Sequence, residues 1–171
     1  MKTRIYHVSL FLCFLVVLFF LGEGSEVSGK SPSKPATLLK QADNCRKSLY
    51  RSKSKQKYRH NWLRCIHAYE SVYSRYPKSE QAPWALYREA RMYTKLYGYS
   101  GMGQDLDDGL QRFRRLVRDY ENHRLADDAQ YRIGEIFYTY KKDPSQAYVE
   151  FLKVDVKYPS GDMRPKARAK L

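Results

Sequence analysis

Histidine, cysteine and acidic side chains are all scarce in this 171-residue chain, and each scarcity removes a class of chemistry. The four histidines are His7, His60, His67 and His123. His60 and His67 stand seven apart on one predicted helix, but no third ligand and no H-E-x-x-H spacing accompanies them. No metal site is expected, and the pair reads as surface or partly buried histidines. The three cysteines form no C-x-x-C, so a redox enzyme is not indicated. The nine glycines build no phosphate-cradling loop and no G-x-G-x-x-G, and no serine sits in a G-x-S-x-G. The acidic pairs Asp107-Asp108 and Asp127-Asp128 fall at predicted helix starts, where they offset the helix dipole and cap free amides. No catalytic residue and no cofactor is expected.

Long apolar runs are also rare: only Val8–Leu21, "VSLFLCFLVVLFFL", is nearly unbroken. Lys2, Arg4 and His7 precede it, and the small and polar "GEGSEVSGKSPSKP" follows. That order is the layout of a secretory signal over 1–29, with a polar linker over 30–35. Fourteen helical residues span about 21 Å, short of a ~30 Å hydrocarbon core. A membrane anchor is the alternative, kept open because no clean A-x-A cleavage site exists. Cys13 lies inside the run and would leave with it. The mature chain is expected to be exported and periplasmic.

Thirty-two Lys and Arg against eighteen Asp and Glu give a net charge of +14. With no arginine-aromatic RNA motif and no finger spacing, nucleic acid is not an expected partner. Outside the cytoplasm the acidic partners on offer are anionic lipid headgroups, lipid-A phosphates and the carboxylates of peptidoglycan. The bland reading is a solvated basic surface. Arg112, Arg114, Arg115 and Arg118 follow helical spacing and are expected to form an exposed basic stripe. Lys53, Lys55, Lys57 and Arg59 form a second cluster. Cys45 and Cys65 flank the polar "SKSKQK" (Ser52–Lys57) at similar distances, so a helical hairpin would bring them together as a disulfide. The other reading is a small buried Cys65.

A repeat organises the rest. Aligned on Tyr76, Tyr120 and Tyr158, the chain places Ala82, Ala126 and Arg164 six residues later, then Ala85, Ala129 and Ala167 nine later. Seven residues before stand Tyr69, Phe113 and Phe151; four before, Val72, Leu116 and Val154; eleven before, Cys65, Gly109 and Ala147. Ala90 and Gly134 stand fourteen after the first two anchors. The anchors are 44 and 38 residues apart, a period that signals a helical solenoid. Large residues three and four apart build one helix face, and the small ones let two helices approach closely. Pro77 and Pro159 end helices, and Pro83 and Pro165 begin them. The fold class expected over 36–171 is all-α, a solenoid of antiparallel helix hairpins.

Ile133-Gly134, Phe137, Ala147, Phe151, Val154 and Pro159 resemble the tetratricopeptide repeat signature. The "YP" helix ends and the stretched period are similar to the repeats of exported bacterial proteins, among them outer-membrane assembly lipoproteins and the Tol-Pal accessory protein. A glycine-bearing insertion, "LYGYSGMGQDL" (Leu96–Leu106), departs from the pattern and is expected to be an exposed loop. The final two units also resemble the helical region ahead of the zinc-binding domain in periplasmic N-acetylmuramoyl-L-alanine amidases. Leu171 falls before the third copy reaches its glycine position. The ending reads either as a short basic cap or as a helix cut short, with an amidase domain beyond it.

The resemblance implies a right-handed solenoid whose first helices line a concave, peptide-binding face. By analogy that face falls on Trp84, Tyr87, Arg91 and Thr94, then on Asp128, Tyr131, Glu135 and Tyr138. The alternative for each tyrosine is packing between hairpins. Three functions are expected, in order: a non-catalytic cell-envelope scaffold that docks a protein or peptide; the front module of a zinc-dependent amidase; and a basic peripheral membrane binder.

Overall fold

The computed structural model describes residues 33–171. The expected export leader and the first part of the expected linker lie outside the described residues. Among the described residues every regular element is helical and none is a strand. No described helix is long and apolar enough to cross a membrane.

Eight helices follow in order: α1 (Lys34–Arg51), α2 (Lys53–Gln56), α3 (Arg59–Arg75), α4 (Gln81–Ser100), α5 (Gly103–Asp119), α6 (Ala126–Glu135), α7 (Pro144–Lys157) and α8 (Arg164–Arg168). α6 runs on into a π-helical turn over Ile136–Lys141. Lys34 and Pro35, expected in a linker, open α1 instead. A proline fits a first turn because the amide it lacks has no helical partner there. The long helices pack in chain order, α1 on α3, α3 on α4, α4 on α5, α5 on α6 and α6 on α7, with α8 closing against α7. α1 also touches α4.

The three aligned tyrosines do one structural job. Tyr76, Tyr120 and Tyr158 are the C-caps of α3, α5 and α7. Their amides donate to the carbonyls of Val72, Leu116 and Val154 at 3.0, 2.9 and 3.1 Å. Their own carbonyls accept from Ser79, His123 and Gly161 at 3.0, 2.9 and 2.9 Å. Those three residues in turn accept the amides of Ala82, Ala126 and Arg164 at 3.0, 2.8 and 3.2 Å. One hydrogen-bonded turn is thus written three times. It reverses the chain without leaving a buried amide unpaired.

Packing follows the same alignment. Tyr69, Phe113 and Phe151 are buried, as are Val72, Leu116 and Val154 beneath them and Cys65, Gly109 and Ala147 one turn earlier. Each large side chain withdrawn from water contributes about 1.5–3 kcal/mol. The small positions set the helix spacing. A Cβ on Gly109 would lie 2.9 Å from Thr94 Oγ1 and 3.1 Å from the Ala90 carbonyl of α4. A Cβ on Gly134 would lie 2.6 Å from the Phe151 ring of α7. Both are closer than packed carbon atoms tolerate.

The stretch Leu96–Leu106 is not the expected exposed loop. α4 continues to Ser100, and only Gly101 and Met102 separate it from α5. Gly101 takes a left-handed φ of 64° as the C-cap, which a glycine adopts without steric cost. The insertion therefore lengthens two helices. Its tip is pinned by Tyr99, whose ring lies 5.0 Å from that of Trp62, and by Ser100, which donates to Asp105 at 2.6 Å.

Cys45 of α1 and Cys65 of α3 are joined by a disulfide, their Cα atoms 5.4 Å apart. Between them, the polar stretch Ser52–Lys57 contains the single turn of α2. Buried Gln56 fixes that turn by donating to the carbonyls of Leu49 and Tyr50 at 3.1 and 2.9 Å.

Candidate binding groove

α1, α4 and α6 present side chains to one shared depression. Two adjoining pockets of about 250 Å³ each share Tyr50 and Arg91. One is walled by Arg46, Trp84, Tyr87 and Arg88, the other by Lys95, Arg132, Glu135 and Tyr140.

The eight face residues named from the sequence divide in three. Trp84, Tyr87, Arg91, Thr94 and Glu135 line these pockets. Tyr87 is nevertheless only 8 % exposed, its ring 5.6 Å from Phe113, so it forms floor more than contact surface. The Thr94 hydroxyl is spent on the Ala90 carbonyl at 3.0 Å. Tyr131, also 8 % exposed, packs on Phe151 at 5.3 Å and lies outside both pockets. Asp128 and Tyr138 also fall elsewhere. Tyr138 is 54 % exposed, with the Lys170 ammonium 5.2 Å from its ring. The physical reason is the π-turn: it winds more residues per turn than an α-helix, so α-helical spacing fails after Ile136. Tyr140 lines the groove in its place, edge-on to Tyr97 at 5.6 Å.

Sequence reasoning missed the contribution of α1. Asp43, Arg46 and Tyr50 are spaced three and four apart, one helical stripe, and that spacing was the available signal. Arg88 donates to Asp43 at 2.6 Å, and the Tyr69 hydroxyl donates to the same carboxylate at 2.6 Å. Arg46 donates to Tyr69 at 2.9 Å. Burial pushes the Tyr69 hydroxyl well above its ordinary pKa, so it stays a neutral donor. Asp43 thereby ties α4 to the α1–α3 pair.

Charge in the groove is unbalanced. Arg46 and Arg88 share Asp43, and Arg132 pairs with Glu135. Among the described residues, Arg91 and Lys95 form no salt bridge, nor does Arg124 beside Trp84. Aromatic faces support them instead. Arg91 lies 5.9 Å over Tyr87, the Lys95 ammonium 4.2 Å over Tyr50, and Arg124 5.1 Å over Trp84. Arg88 flanks Trp84 as well, at 5.5 Å. Each such contact is worth about 0.5–1 kcal/mol at an exposed site.

The expected arginine stripe on α5 is not a uniform exposed surface. Arg112 turns inward and donates to buried Glu89 at 3.0 Å. Arg115 and Arg118 both pair with Asp119, at 3.2 and 2.7 Å, and Arg114 lies 5.8 Å over Phe137. A buried acid on α4 and an acid at the end of α5 compete for the stripe. Sequence spacing alone does not reveal either partner. In the second basic cluster, Arg59 is bound to wholly buried Asp105.

Glu89 is wholly buried, and among the described residues its second oxygen and the buried Tyr73 hydroxyl have no hydrogen-bond partner. Burial pushes the Glu89 carboxyl up to about 7, against the pull of the neighbouring Tyr73 hydroxyl and Arg112. His60 and His67 are exposed, consistent in placement with surface histidines. The Asp127, Asp128 and Asp162 carboxylates lie within 4.8 Å of one another, a spacing that suits a cation. Asp127, however, already accepts the Met163 amide at 3.1 Å, tying α6 to the turn before α8. It does not cap its own helix, as the sequence suggested. Burial and the two neighbouring carboxylates raise the Asp128 pKa. Asp127 and Asp128 do stand in the first turn of α6, as expected, whereas Asp107 and Asp108 stand in the second turn of α5 and not at its start; Asp107 pairs with Lys141 at 2.7 Å.

Compared with protein-family models, curated proteins and solved structures, the chain gives no match.

Proposed function

We propose that this protein is a non-catalytic scaffold of the cell envelope, exported and built of tetratricopeptide-like hairpins stacked as a solenoid. On this reading the groove across α1, α4 and α6 holds a protein or peptide partner. The thrice-written turn after Tyr76, Tyr120 and Tyr158 supports the repeat architecture. One observation carries the binding role: a depression shared by three helices, floored by aromatic rings and bearing cations that no carboxylate among the described residues neutralises. Rigid rings supply contact area at low entropic cost, and arginine and tyrosine dominate the energetics of natural interfaces.

Site-specific photo-crosslinking tests this. A crosslinking side chain at Tyr140, an aromatic position on the groove wall that is 41 % exposed, is expected to trap a discrete envelope protein. The same side chain at Arg64, exposed on α3, should not. Identical adducts at both positions, or none at either, would overturn the groove as a binding face.

A further inference from the structure

Resting on that scaffold reading, we propose that the groove selects an acidic polypeptide segment, with its carboxylates seated on Arg91 and Lys95 of α4. Three features of the groove lead there.

The first is the surplus of charge. The cations of α1 and α6 each have an internal carboxylate, Asp43 or Glu135. Arg91 and Lys95 have none among the described residues, and both are exposed. They stand one helical turn apart, about 6 Å along α4, a separation that side chains of a single extended segment can span.

The second feature is preorganisation. Arg91 rests over Tyr87, and Lys95 over Tyr50, so both head groups are held at the groove instead of sweeping through solvent. Positioned donors lose less entropy when an anion arrives. A guanidinium lying on a ring still presents its N–H edge to a carboxylate, and charge-assisted bonds of that kind are the strong ones.

The third feature separates a polypeptide from other anions. The groove is concave, two adjoining pockets of about 250 Å³ each, and a flat bilayer cannot enter it. Its walls also include Glu135, and Asp43 lies just behind Arg88. These carboxylates would repel a uniform polyanion. They suit a ligand that carries carboxylates at some positions and neutral donors at others, which is the chemistry of an acidic peptide.

The experiment uses the purified full-length chain and a fluorescein-labelled peptide of alternating glutamate and serine. Its glutamine-for-glutamate counterpart is the control. Fluorescence anisotropy is expected to show saturable binding of the glutamate peptide and none of the glutamine one. Raising salt should weaken it, because the attraction is partly screened. The double variant Arg91→Glu/Lys95→Glu should lose about tenfold or more in affinity, the equivalent of at least one charge-assisted hydrogen bond. Arg64→Glu/Lys78→Glu changes net charge equally at exposed, unpaired positions outside the groove, and should lose less than about twofold. Both pairs replace exposed side chains, and circular dichroism would verify that each variant folds.

Equal loss in the two variants would mean bulk charge alone and would overturn the proposal. So would equal binding of the glutamine peptide. Failure of the glutamate peptide, with phosphatidylglycerol vesicles bound by both the unmodified and Arg91→Glu/Lys95→Glu proteins, would replace it with a membrane-surface reading. If the peptide fails while the Tyr140 crosslink traps a partner, the groove stands and only its acidic selectivity falls. If both fail, the scaffold reading falls with it.

Discussion

Glu89→Gln tests how much an ionised carboxylate costs in the core. Glu89 is wholly buried between α3, α4 and α5. The groups that bear on it are Tyr73 and Glu70 from α3, Tyr93 from its own helix and Arg112 from α5. Burial raises its pKa from 4.5 to about 7, with Arg112 offsetting only part of the effect. The sign follows from the proton count. Below pH 4.5 the carboxyl is protonated in both states. Between 4.5 and about 7 the unfolded chain has released its proton while the folded chain keeps it, so stability falls as pH rises. Above about 7 the full cost is present. The interval corresponds to about 3 kcal/mol. Glutamine keeps the shape and cannot ionise. The variant should match the parent within about 0.5 kcal/mol at pH 4 and exceed it by up to about 3 kcal/mol at pH 8, roughly 10 °C in Tm. Thermal melts followed by circular dichroism, taken as the variant-minus-parent difference at each pH, cancel the other titrating groups. A flat difference curve, or a variant less stable at pH 8, would refute the account.

Other expectations rest on separate parts of the fold. Cys45→Ala/Cys65→Ala opens a link between residues 20 apart in sequence and should cost about 3 kcal/mol, read as a drop in urea midpoint; an unchanged midpoint would mean that α1 is held by packing alone. Gly134→Ala should destabilise by about 1–3 kcal/mol despite alanine's better helix propensity, because its Cβ meets Phe151, and a rise in Tm would contradict that close approach. Phe151→Ala should cost about 3–5 kcal/mol, since the ring is buried among Tyr131, Gly134 and the α6–α7 contact. In Trp84→Ala, Arg88 and Arg124 lose their shared ring; the groove crosslink at Tyr140 should weaken while stability falls by about 1–2 kcal/mol. A large fall in Tm instead would assign Trp84 to the core.

Much of the helical plan was legible because it depends on local rules. A tyrosine, a polar turn and an alanine nine residues on recur, and the chain forms one turn at each. Gly109 and Gly134 stand where two helices meet, and the contacts there leave no room for a side-chain carbon. What misled the reading was helix continuity. Gly98 inside "LYGYSGMGQDL" looked like a loop residue, yet α4 runs through it and only left-handed Gly101 breaks the chain. One glycine costs a helix about 1 kcal/mol, less than the contacts Tyr99 and Ser100 make by continuing it. The π-turn was invisible for a similar reason, since no residue type encodes it and it displaces Tyr138 in favour of Tyr140.

The sequence by itself determined the period, the helix ends at Tyr76, Tyr120 and Tyr158, the buried residues that repeat before them and the net positive charge. These follow from side-chain volume, proline and glycine stereochemistry and simple counting, which act over a few residues. Only the tertiary structure decided which charges remain free. Arg112, Arg114, Arg115 and Arg118 share one spacing, but Glu89 and Asp119 sequester three of them. Arg91 and Lys95 look no different in sequence and, among the described residues, are left without a carboxylate in a groove. Electrostatic pairing depends on distances between side chains far apart in the chain, and the packing of α1, α4 and α6 sets those distances.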